Sequence, residues 1–221
     1  MEIGCPPLDL LSKGLLDGSI TQVYGEYATG KTSYCLQAAK AVSDAGRRTV
    51  YIDTENGFSA ERAVQMGGTK LLRDIRVFNP DTLEEQTAIV RGLEGSLSDD
   101  VGLIVIDSLV SLYKVDATDA DKRVELVSDL SLQLLVLSRI ARKRDIPVIF
   151  TNHVYGKFDS NELVPIGGNT VRYWSKVIIM LERKTNSRRK AFLVRHPFLP
   201  EGRTCYFVLS DEGLVGIGQR L

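Results

Sequence analysis

The sequence lacks the features of membrane proteins and of disulfide-stabilised proteins. Its longest aliphatic run, at 177–181, has five residues, whereas a membrane-spanning helix needs about 20. Its three cysteines, Cys5, Cys35 and Cys205, lie far apart and form no Cys-x-x-Cys pair, so a zinc ribbon is excluded and a disulfide framework is not expected. The N-terminus has no basic or apolar signal region. We expect a cytoplasmic protein with no membrane partner.

An overall excess of charge of one sign is also absent, because 28 Lys and Arg balance 28 Asp and Glu. The charges are nevertheless unevenly distributed: residues 139–203 contain 14 Lys and Arg but only 5 Asp and Glu. This excess fits a surface that faces a polyanion. It equally fits a long helix that ends near the cations at 139–144, which complement the helix dipole. Composition alone leaves both readings open.

The 221 residues contain no internal repeat, low-complexity tract or linker. A chain of this length can bury roughly 70–75% of its unfolded surface without metal or disulfide support. We therefore expect one domain over 1–221. Residues 1–18 are expected to form an irregular lead-in around a short turn at 8–11, with no separate N-terminal domain.

Hydrophobic periodicity predicts alternating strands and helices through the first two thirds of the chain. The predicted strands are 19–24, 48–52, 74–78, 103–106 and 147–151. The predicted helices are 31–45, about 59–66, 83–92 and a long one that contains 127–141, capped by Asp119 or Asp121. This alternation indicates an α/β fold with a mostly parallel sheet and helices on its faces.

The pattern changes after residue 152. Residues 152–172 include three glycines and show no clear period, so we expect a functional loop there. Three β-like runs follow, at 176–182, 190–195 and 204–209, with a hairpin turn at Asn186-Ser187. We expect these runs to extend the sheet as antiparallel strands.

A phosphate-binding pattern, G-x-x-x-x-G-K-[ST], occupies 25–32 between a predicted strand and a predicted helix. In such a loop, main-chain N–H groups and the helix N-terminus face phosphate oxygens, and the lysine adds a positive charge. The sequence therefore predicts an ATP site. Its candidate residues are Gly25, Glu26, Tyr27, Ala28, Thr29, Gly30, Lys31, Thr32 and Ser33.

Polar residues also follow three of the other predicted strands, at the edge where α/β sheets bind ligands. We expect Asp107 and the Thr32 hydroxyl to hold Mg²⁺, with Lys31 on the β- and γ-phosphates. Glu55 is the candidate general base, and His153 is a candidate γ-phosphate contact that relays to the loop at 152–172. Each assignment has a structural alternative. Asp107 could simply cap the end of a strand, Glu55 could belong to a solvated acidic turn, and His153 could belong to the polar start of a loop.

Aromatic residues near the site give weaker signals. Tyr27 and Phe58 could stack on a base, but core packing is the favoured interpretation for both. Trp174 is expected to anchor packing, and His196 to have a structural or interface role.

The segments 25–32, 51–55, 103–108 and 165–169, in this order, resemble the ATPase core of the RecA/RadA/Rad51 recombinase family. The resemblance covers nearly the whole chain and is strongest to short archaeal paralogues of RadA. The run Pro-Ile-Gly-Gly-Asn at 165–169 is the most specific, because generic P-loop ATPases lack it. The implied fold is a RecA-like P-loop core with antiparallel C-terminal strands.

The resemblance also implies functional residues. It makes Glu55 the catalytic glutamate and Asp107 the Walker B acid. It assigns about 113–123 to a first DNA-binding loop and about 154–172 to a second. The candidate DNA-binding residues are Lys157, Arg172, Gly167 and Gly168.

Three departures from the family pattern modify these expectations. The N-terminal DNA-binding domain and its polymerisation segment are expected to be absent. His153 stands where the family has Gln, and Arg195-His196-Pro197 stands where its ATP cap has Asp-Ser-Pro. We do not expect assembly into the usual filament, and the sequence leaves the oligomeric state open.

The implied function is DNA repair and recombination as an accessory protein that binds ATP, Mg²⁺ and single-stranded or branched DNA, with weak ATP hydrolysis. Its expected protein partners are a RadA-type recombinase and a junction-cutting nuclease. Two alternatives remain at this point: an active DNA-stimulated strand-exchange recombinase, and a KaiC-like regulatory ATPase that does not bind DNA.

Overall fold

A computed structural model describes residues 1–113, 120–156, 163–184 and 187–217, with only the helical backbone at 120–126. The helices are α1 (Pro6–Ser12), α2 (Lys31–Asp44), α3 (Ala60–Asp74), α4 (Leu83–Ser96), α5 (Ala120–Arg144) and α6 (Gly168–Trp174). The strands are β1 (Ile20–Gly25), β2 (Arg48–Asp53), β3 (Ile75–Phe78), β4 (Val101–Asp107), β5 (Val148–Asn152), β6 (Val154–Gly156), β7 (Leu163–Pro165), β8 (Val177–Arg183), β9 (Arg188–Arg195), β10 (Thr204–Ser210) and β11 (Gly213–Gly216).

Nine strands form one sheet in the order β11-β10-β9-β8-β1-β5-β4-β2-β3. Six strands run parallel to one another: β1, β2, β3, β4, β5 and β8. The pairs β8–β9, β9–β10 and β10–β11 are antiparallel. The RecA-like architecture is thus confirmed. The expectation that all three C-terminal β runs are antiparallel is wrong for β8, which pairs with β1 in parallel. The chain crosses from β5 through α6 before it enters β8, and such a crossover connects parallel strands.

The alternation of side chains along the strands creates two apolar cores, one on each face of the sheet. On one face, Val23 and Val105 pack in a cluster with residues of α1, α2 and α3. On the other, Ile20 and Ile104 pack with residues of α4 and α5. Trp174 is partly buried against this second cluster, as expected of a packing anchor. The helices therefore cover both faces, as the sequence predicts.

The expectation of an irregular lead-in at 1–18 is wrong, because α1 is a helix that buries Leu8 and Leu11 in the core. Its N-terminal turn has proline at its first positions, where a missing N–H costs nothing. The Asp9 carboxylate accepts hydrogen bonds from the main-chain N–H groups of Ile3, Gly4 and Cys5. Burial raises the pKa of Asp9 against these bonds, which lower it. This segment therefore belongs to the core.

The expectation of a loop without regular structure at 152–172 is also wrong. β6 and β7 form a small antiparallel pair there, and α6 begins at Gly168. Each strand has three residues, too few to show a period in the sequence. Lys157, and residues 114–119 of the expected first DNA-binding loop, lie outside the described residues.

The structure also has one helix that is longer than predicted and one strand that was not predicted. The predicted helix at about 59–66 continues to Asp74, with a non-helical break at Gly68, where φ is 69°. β11 was not predicted. The hairpin between β8 and β9 is confirmed by their antiparallel pairing, although Asn186 lies outside the described residues. In the described part of the chain, no helix is long and apolar enough to cross a membrane.

Candidate nucleotide-binding site

The turn between β1 and α2 has the backbone geometry of a phosphate cradle. Ala28 has φ of 57° and Gly30 has φ of 102°, both in the left-handed region. A Cβ at Gly25 would lie 2.2 Å from the Leu181 carbonyl oxygen, so only glycine fits the close approach to β8. The Thr29 hydroxyl donates to the Glu26 carbonyl at 2.9 Å and closes the turn. Successive N–H groups of such a turn form an anion-binding concavity.

Lys31 is buried at the first position of α2. Its ammonium group donates to the carbonyl oxygens of Gly25 at 3.0 Å and Glu26 at 2.9 Å. Burial lowers the pKa of Lys31, while the Glu55 and Asp107 carboxylates raise it. Thr32 and Ser33 follow on the same turn, half-buried, and line the same cleft. The lysine charge is therefore held at the phosphate cradle.

Asp107 ends β4 with its carboxylate buried in the cleft wall. Its Oδ2 accepts from the Tyr51 hydroxyl at 2.8 Å, and its Oδ1 accepts from the Thr151 hydroxyl. A carboxylate has about four lone-pair sites, so acceptor capacity remains after these two bonds. Mg²⁺ takes oxygen ligands and is bound in proteins by one or two side chains together with water and phosphate. Asp107 and the Thr32 hydroxyl suit that cation.

Glu55 and His153 meet across the cleft, where His153 Nε2 contacts Glu55 Oε1. This hydrogen bond is the largest cause that lowers the pKa of Glu55; burial acts in the opposite direction. Both side chains are about one third exposed. Glu55 is therefore an ionised carboxylate at the cleft. Its partner is His153, which stands where the recombinase family that the sequence resembles has Gln.

Asp53 fixes the main-chain turn that carries Glu55. Its carboxylate accepts hydrogen bonds from the main-chain N–H groups of Glu55, Gly57 and Phe58, at 3.2, 3.1 and 2.8 Å. Sequence reasoning singled out Glu55 and missed this organising role of its neighbour. A strand-end aspartate followed by a glycine-containing turn was the available signal.

The cleft has a volume of about 480 Å³ and includes two residues that the sequence did not indicate, Arg189 of β9 and Leu209 of β10. Arg189 is 8% exposed, yet its Nε has no hydrogen-bond partner in the described part of the chain. Its Nη1 donates to the Arg188 carbonyl at 3.2 Å. Burial, and then the nearby Arg183, lower the pKa of Arg189. Arg189 is thus a buried cation in the cleft wall with no ion pair to another described residue.

Two aromatic residues near the cleft differ in their surroundings. Tyr27 is 87% exposed, so the expectation of core packing is wrong for it. The P-loop turn holds it outside the sheet–helix interface. Phe58 is partly buried, and its ring packs edge-on against Tyr51 at a centroid distance of 5.2 Å.

Part of the expected second DNA-binding loop lies next to this cleft. Gly167 has φ of 85° and precedes α6, and Gly168 has φ of 49°. Arg172, in the last turn of α6, is exposed. The described residues bring Arg172 to Arg195, whose Nη1 donates to the Arg172 carbonyl at 2.6 Å. Gly167 follows Ile166, whose N–H donates to the His153 carbonyl at the carboxyl end of β5. Arg195 pairs with Ile178 near the start of β8, so Arg172 and Arg195 lie toward the amino end of the parallel strands, away from the P-loop.

Comparison with known proteins agrees with this arrangement. A protein-family model described as Rad51 matches residues 1–217. The chain belongs to the Rad51 family. Among curated Rad51-family relatives, the DNA repair and recombination protein RadB of Methanococcoides burtonii is 41% identical over 214 residues, covering 95% of each chain. The RadB protein of Thermococcus kodakarensis is 36% identical and covers 97% of this chain and 98% of its own.

A solved Rad51-family structure is similar over the same length. The crystal structure of the RadB recombinase matches with a TM-score of 0.86 and 33% identity, covering 98% of this chain and 99% of that one. The predicted resemblance to short archaeal paralogues of RadA is therefore confirmed, because the chain is similar over nearly its whole length to archaeal RadB proteins.

Two departures from the Rad51-family pattern have distinct surroundings. His153 contacts Glu55, as described above. His196 is buried; its Nε2 contacts the Ser12 carbonyl at 3.0 Å and its Nδ1 accepts from the Phe198 and Leu199 N–H groups. This matches the structural role expected for His196. Burial lowers its pKa, which favours the neutral ring that these contacts require.

Proposed function

We propose that this chain is an accessory protein of DNA repair and recombination that binds ATP and DNA and hydrolyses ATP weakly. One observation carries the nucleotide part of the proposal: Lys31, Asp107 and Glu55 line one cleft at the β1–α2 turn of a Rad51-family chain. A cation, a metal-ligating carboxylate and a base that converge on a phosphate cradle are what phosphoryl transfer to water requires.

The chemistry follows from the residues that line the cleft. N–H groups of 25–33 and the Lys31 ammonium would hold the triphosphate. Thr32 and Asp107 would hold Mg²⁺, which neutralises charge on the phosphates when it is bound.

Glu55 would accept a proton from the attacking water. A P–O bond to the water oxygen forms, the bond to the leaving ADP breaks, and inorganic phosphate is released. His153 contacts Glu55 and would orient it, so this residue links the base to the γ-phosphate position.

The DNA part of the proposal rests on charge and family. Residues 139–203 contain the excess of Lys and Arg, and Arg172 is exposed beside Gly167 and Gly168. Lys157 is expected to add a cation to the same loop. Single-stranded or branched DNA is the expected ligand, and its affinity should fall steeply with added salt because counterions are released on binding.

An accessory role is favoured over strand exchange by the change at the ATP cap. Arg195 replaces an acidic residue of the family pattern, and its guanidinium contacts its own chain at Arg172. We propose that the chain, as one RecA-like domain, assists a RadA-type recombinase or a junction-cutting nuclease on chromosomal DNA. An oligomer other than the usual filament is compatible with this role.

The proposal is tested by ATP turnover and DNA binding measured on the same preparation, together with the mass of the protein in solution. We expect slow, Mg²⁺-dependent turnover that Lys31→Ala abolishes, and DNA binding that weakens with salt. Strong DNA stimulation with filaments would instead favour the strand-exchange alternative. The absence of salt-sensitive DNA binding would favour the KaiC-like alternative.

A further inference from the structure

A second cleft, which we call the Gln22 cleft, lies on the face of the sheet opposite to α2. It has a volume of about 290 Å³ and lies between the sheet strands β1, β8 and β9 and the segment formed by β7 and α6. A single water occupies about 30 Å³ in the liquid. The Gln22 cleft is therefore large enough for a ligand much bigger than one water.

The side-chain amide of Gln22 is buried directly beneath this cleft. Gln22 is fully buried, and within the described residues neither its Nε2 nor its Oε1 makes a hydrogen bond. Gln37 is a useful contrast, because its Nε2 donates to the Ile3 carbonyl and its Oε1 accepts from the Leu214 N–H. Leaving buried donors and acceptors unpaired is costly and rare. An unpaired amide at the base of a cleft therefore points to a ligand.

The walls and the mouth differ in chemistry. Ile178 and Pro165 supply apolar wall surface, whereas Arg172 and Asn169 lie exposed at the mouth. The Arg172 carbonyl also accepts from Arg195, so a second guanidinium lies beside this mouth. None of the described residues that line the cleft is acidic. The lining thus combines an apolar slot, a buried amide and a cationic entrance.

This combination matches one unit of a nucleic acid strand. A glutamine amide presents a donor and an acceptor side by side, which pair with the edge of a nucleobase. Guanidinium groups pair with phosphate oxygens, with two parallel hydrogen bonds where geometry allows. Removing a base from its stack costs least in a strand that is already single. The polar edge of a base would face the Gln22 amide, its flat apolar ring would face the apolar wall, and its phosphate would face the cationic mouth.

We propose that the Gln22 cleft holds one unstacked base of a single-stranded DNA, with Gln22 on the edge of the base and Arg172 and Arg195 at its phosphate. This inference rests on the proposed DNA binding and deepens it, because it gives the strand an anchoring point. It also gives Arg195 a DNA-facing role in place of the family's cap acid.

The decisive variant is Gln22→Leu, which removes the amide and keeps a side chain of similar size. If the amide pairs with a base, affinity for single-stranded DNA should fall about ten-fold or more, while thermal stability is unchanged or higher because an unpaired buried polar group is gone. A strand with abasic sites, which offers phosphates without bases, should bind wild type and Gln22→Leu equally. The KM for ATP should not change.

A second measurement keeps the proposal testable if Gln22→Leu folds poorly. A 2-aminopurine reporter in the strand brightens when its base leaves the stack, and wild-type protein should brighten it. Arg172→Ala should remove most of this signal, whereas Arg142→Ala, an exposed cation at the end of α5, should not.

The outcomes separate this inference from the function on which it rests. If wild type binds no DNA, the proposed function fails and the inference fails with it. If wild type binds DNA but Gln22→Leu binds equally well, or the reporter stays dark, the cleft holds no base and only the inference is overturned.

Discussion

The side-chain amide of Asn152 donates through Nδ2 to the main-chain carbonyl of Ile166 at 2.8 Å. A second hydrogen bond, from the Ile166 N–H to the His153 carbonyl at 3.0 Å, lies beside it. Asn152 is the last residue of β5. The residue before it, Thr151, donates a hydrogen bond from its hydroxyl to Asp107. These bonds connect the cleft that contains Asp107 and His153 to the start of the Gly167-Gly168 turn.

Asn152→Ala should uncouple DNA binding from nucleotide binding. The variant leaves the part-buried Ile166 carbonyl without its side-chain donor, which costs about 1 kcal/mol of folding free energy. We expect ATP affinity to be kept and the ATP-induced change in DNA affinity to shrink, measured by fluorescence anisotropy with and without ATP. An unchanged ATP response would show that this connection carries no signal.

Lys31→Ala should abolish ATP binding while the protein stays folded. The ammonium group supplies the charge at the phosphate cradle, and charge-assisted hydrogen bonds are about twice as strong as neutral ones. Calorimetric titration with ATP and circular dichroism would measure both properties. Retained ATP affinity in a folded variant would contradict the assignment of this cleft.

Glu55→Gln should keep ATP binding and lose most turnover. Removing a general base typically costs about 10²–10⁴ in rate. Single-turnover hydrolysis separates the chemical step from binding, and Glu61→Gln, an exposed carboxylate on α3, is a suitable control. A Glu55→Gln enzyme with wild-type turnover would remove Glu55 from the mechanism.

The acid limb of ATP turnover should shift when His153 is removed. The His153 contact holds the pKa of Glu55 below its ordinary value of 4.5, so the base stays ionised as pH falls from neutral to that value. By linkage, the contribution of this contact to stability is complete above pH 4.5 and is lost as pH falls through the lower folded-state pKa. In His153→Ala, the acid limb of kcat/KM should lie at higher pH. Superimposable profiles would contradict this link.

Arg189→Gln should weaken ATP binding without destabilising the fold. The buried guanidinium has no counter-charge in the described residues, so its removal relieves a desolvation penalty. Losing a hydrogen bond from a charged group to phosphate costs about 1.5–3 kcal/mol, or roughly ten-fold or more in affinity.

The matched control is Arg188→Gln, the exposed neighbour on β9. Equal ATP affinities of the two variants would remove Arg189 from the nucleotide site. A loss of stability in Arg189→Gln alone would instead indicate a structural charge.

The parts of the fold that sequence could predict are those that repeat over several residues. The strand at 103–106 is buried on both faces, so it shows as an unbroken aliphatic run, and the P-loop has a fixed spacing of glycines and lysine. β6 and β7 are too short for periodicity. Their pairing, Val154 with Pro165 and Tyr155 with Val164, depends on contacts between distant residues.

The candidate site was predictable to the extent that its residues follow strands. Glu55, Asp107 and His153 meet because the carboxyl ends of parallel strands share one edge. Arg189 could not be found in this way. Arg188, Arg189 and Lys190 are consecutive cations in a strand, and only the packing of β9 against the P-loop side of the sheet decides which one is buried. That the Gln22 amide has no partner among the described residues likewise depends on its neighbours from β5, β8 and α6.

The central claim is that the β1–α2 turn grips the triphosphate of ATP. A crystal soaked with Mg²⁺ and a non-hydrolysable ATP analogue tests it most directly. We expect triphosphate density between Lys31 and Arg189, with the metal at Thr32 and Asp107. Density for the analogue at any other place on the molecule, with this turn empty, would contradict it.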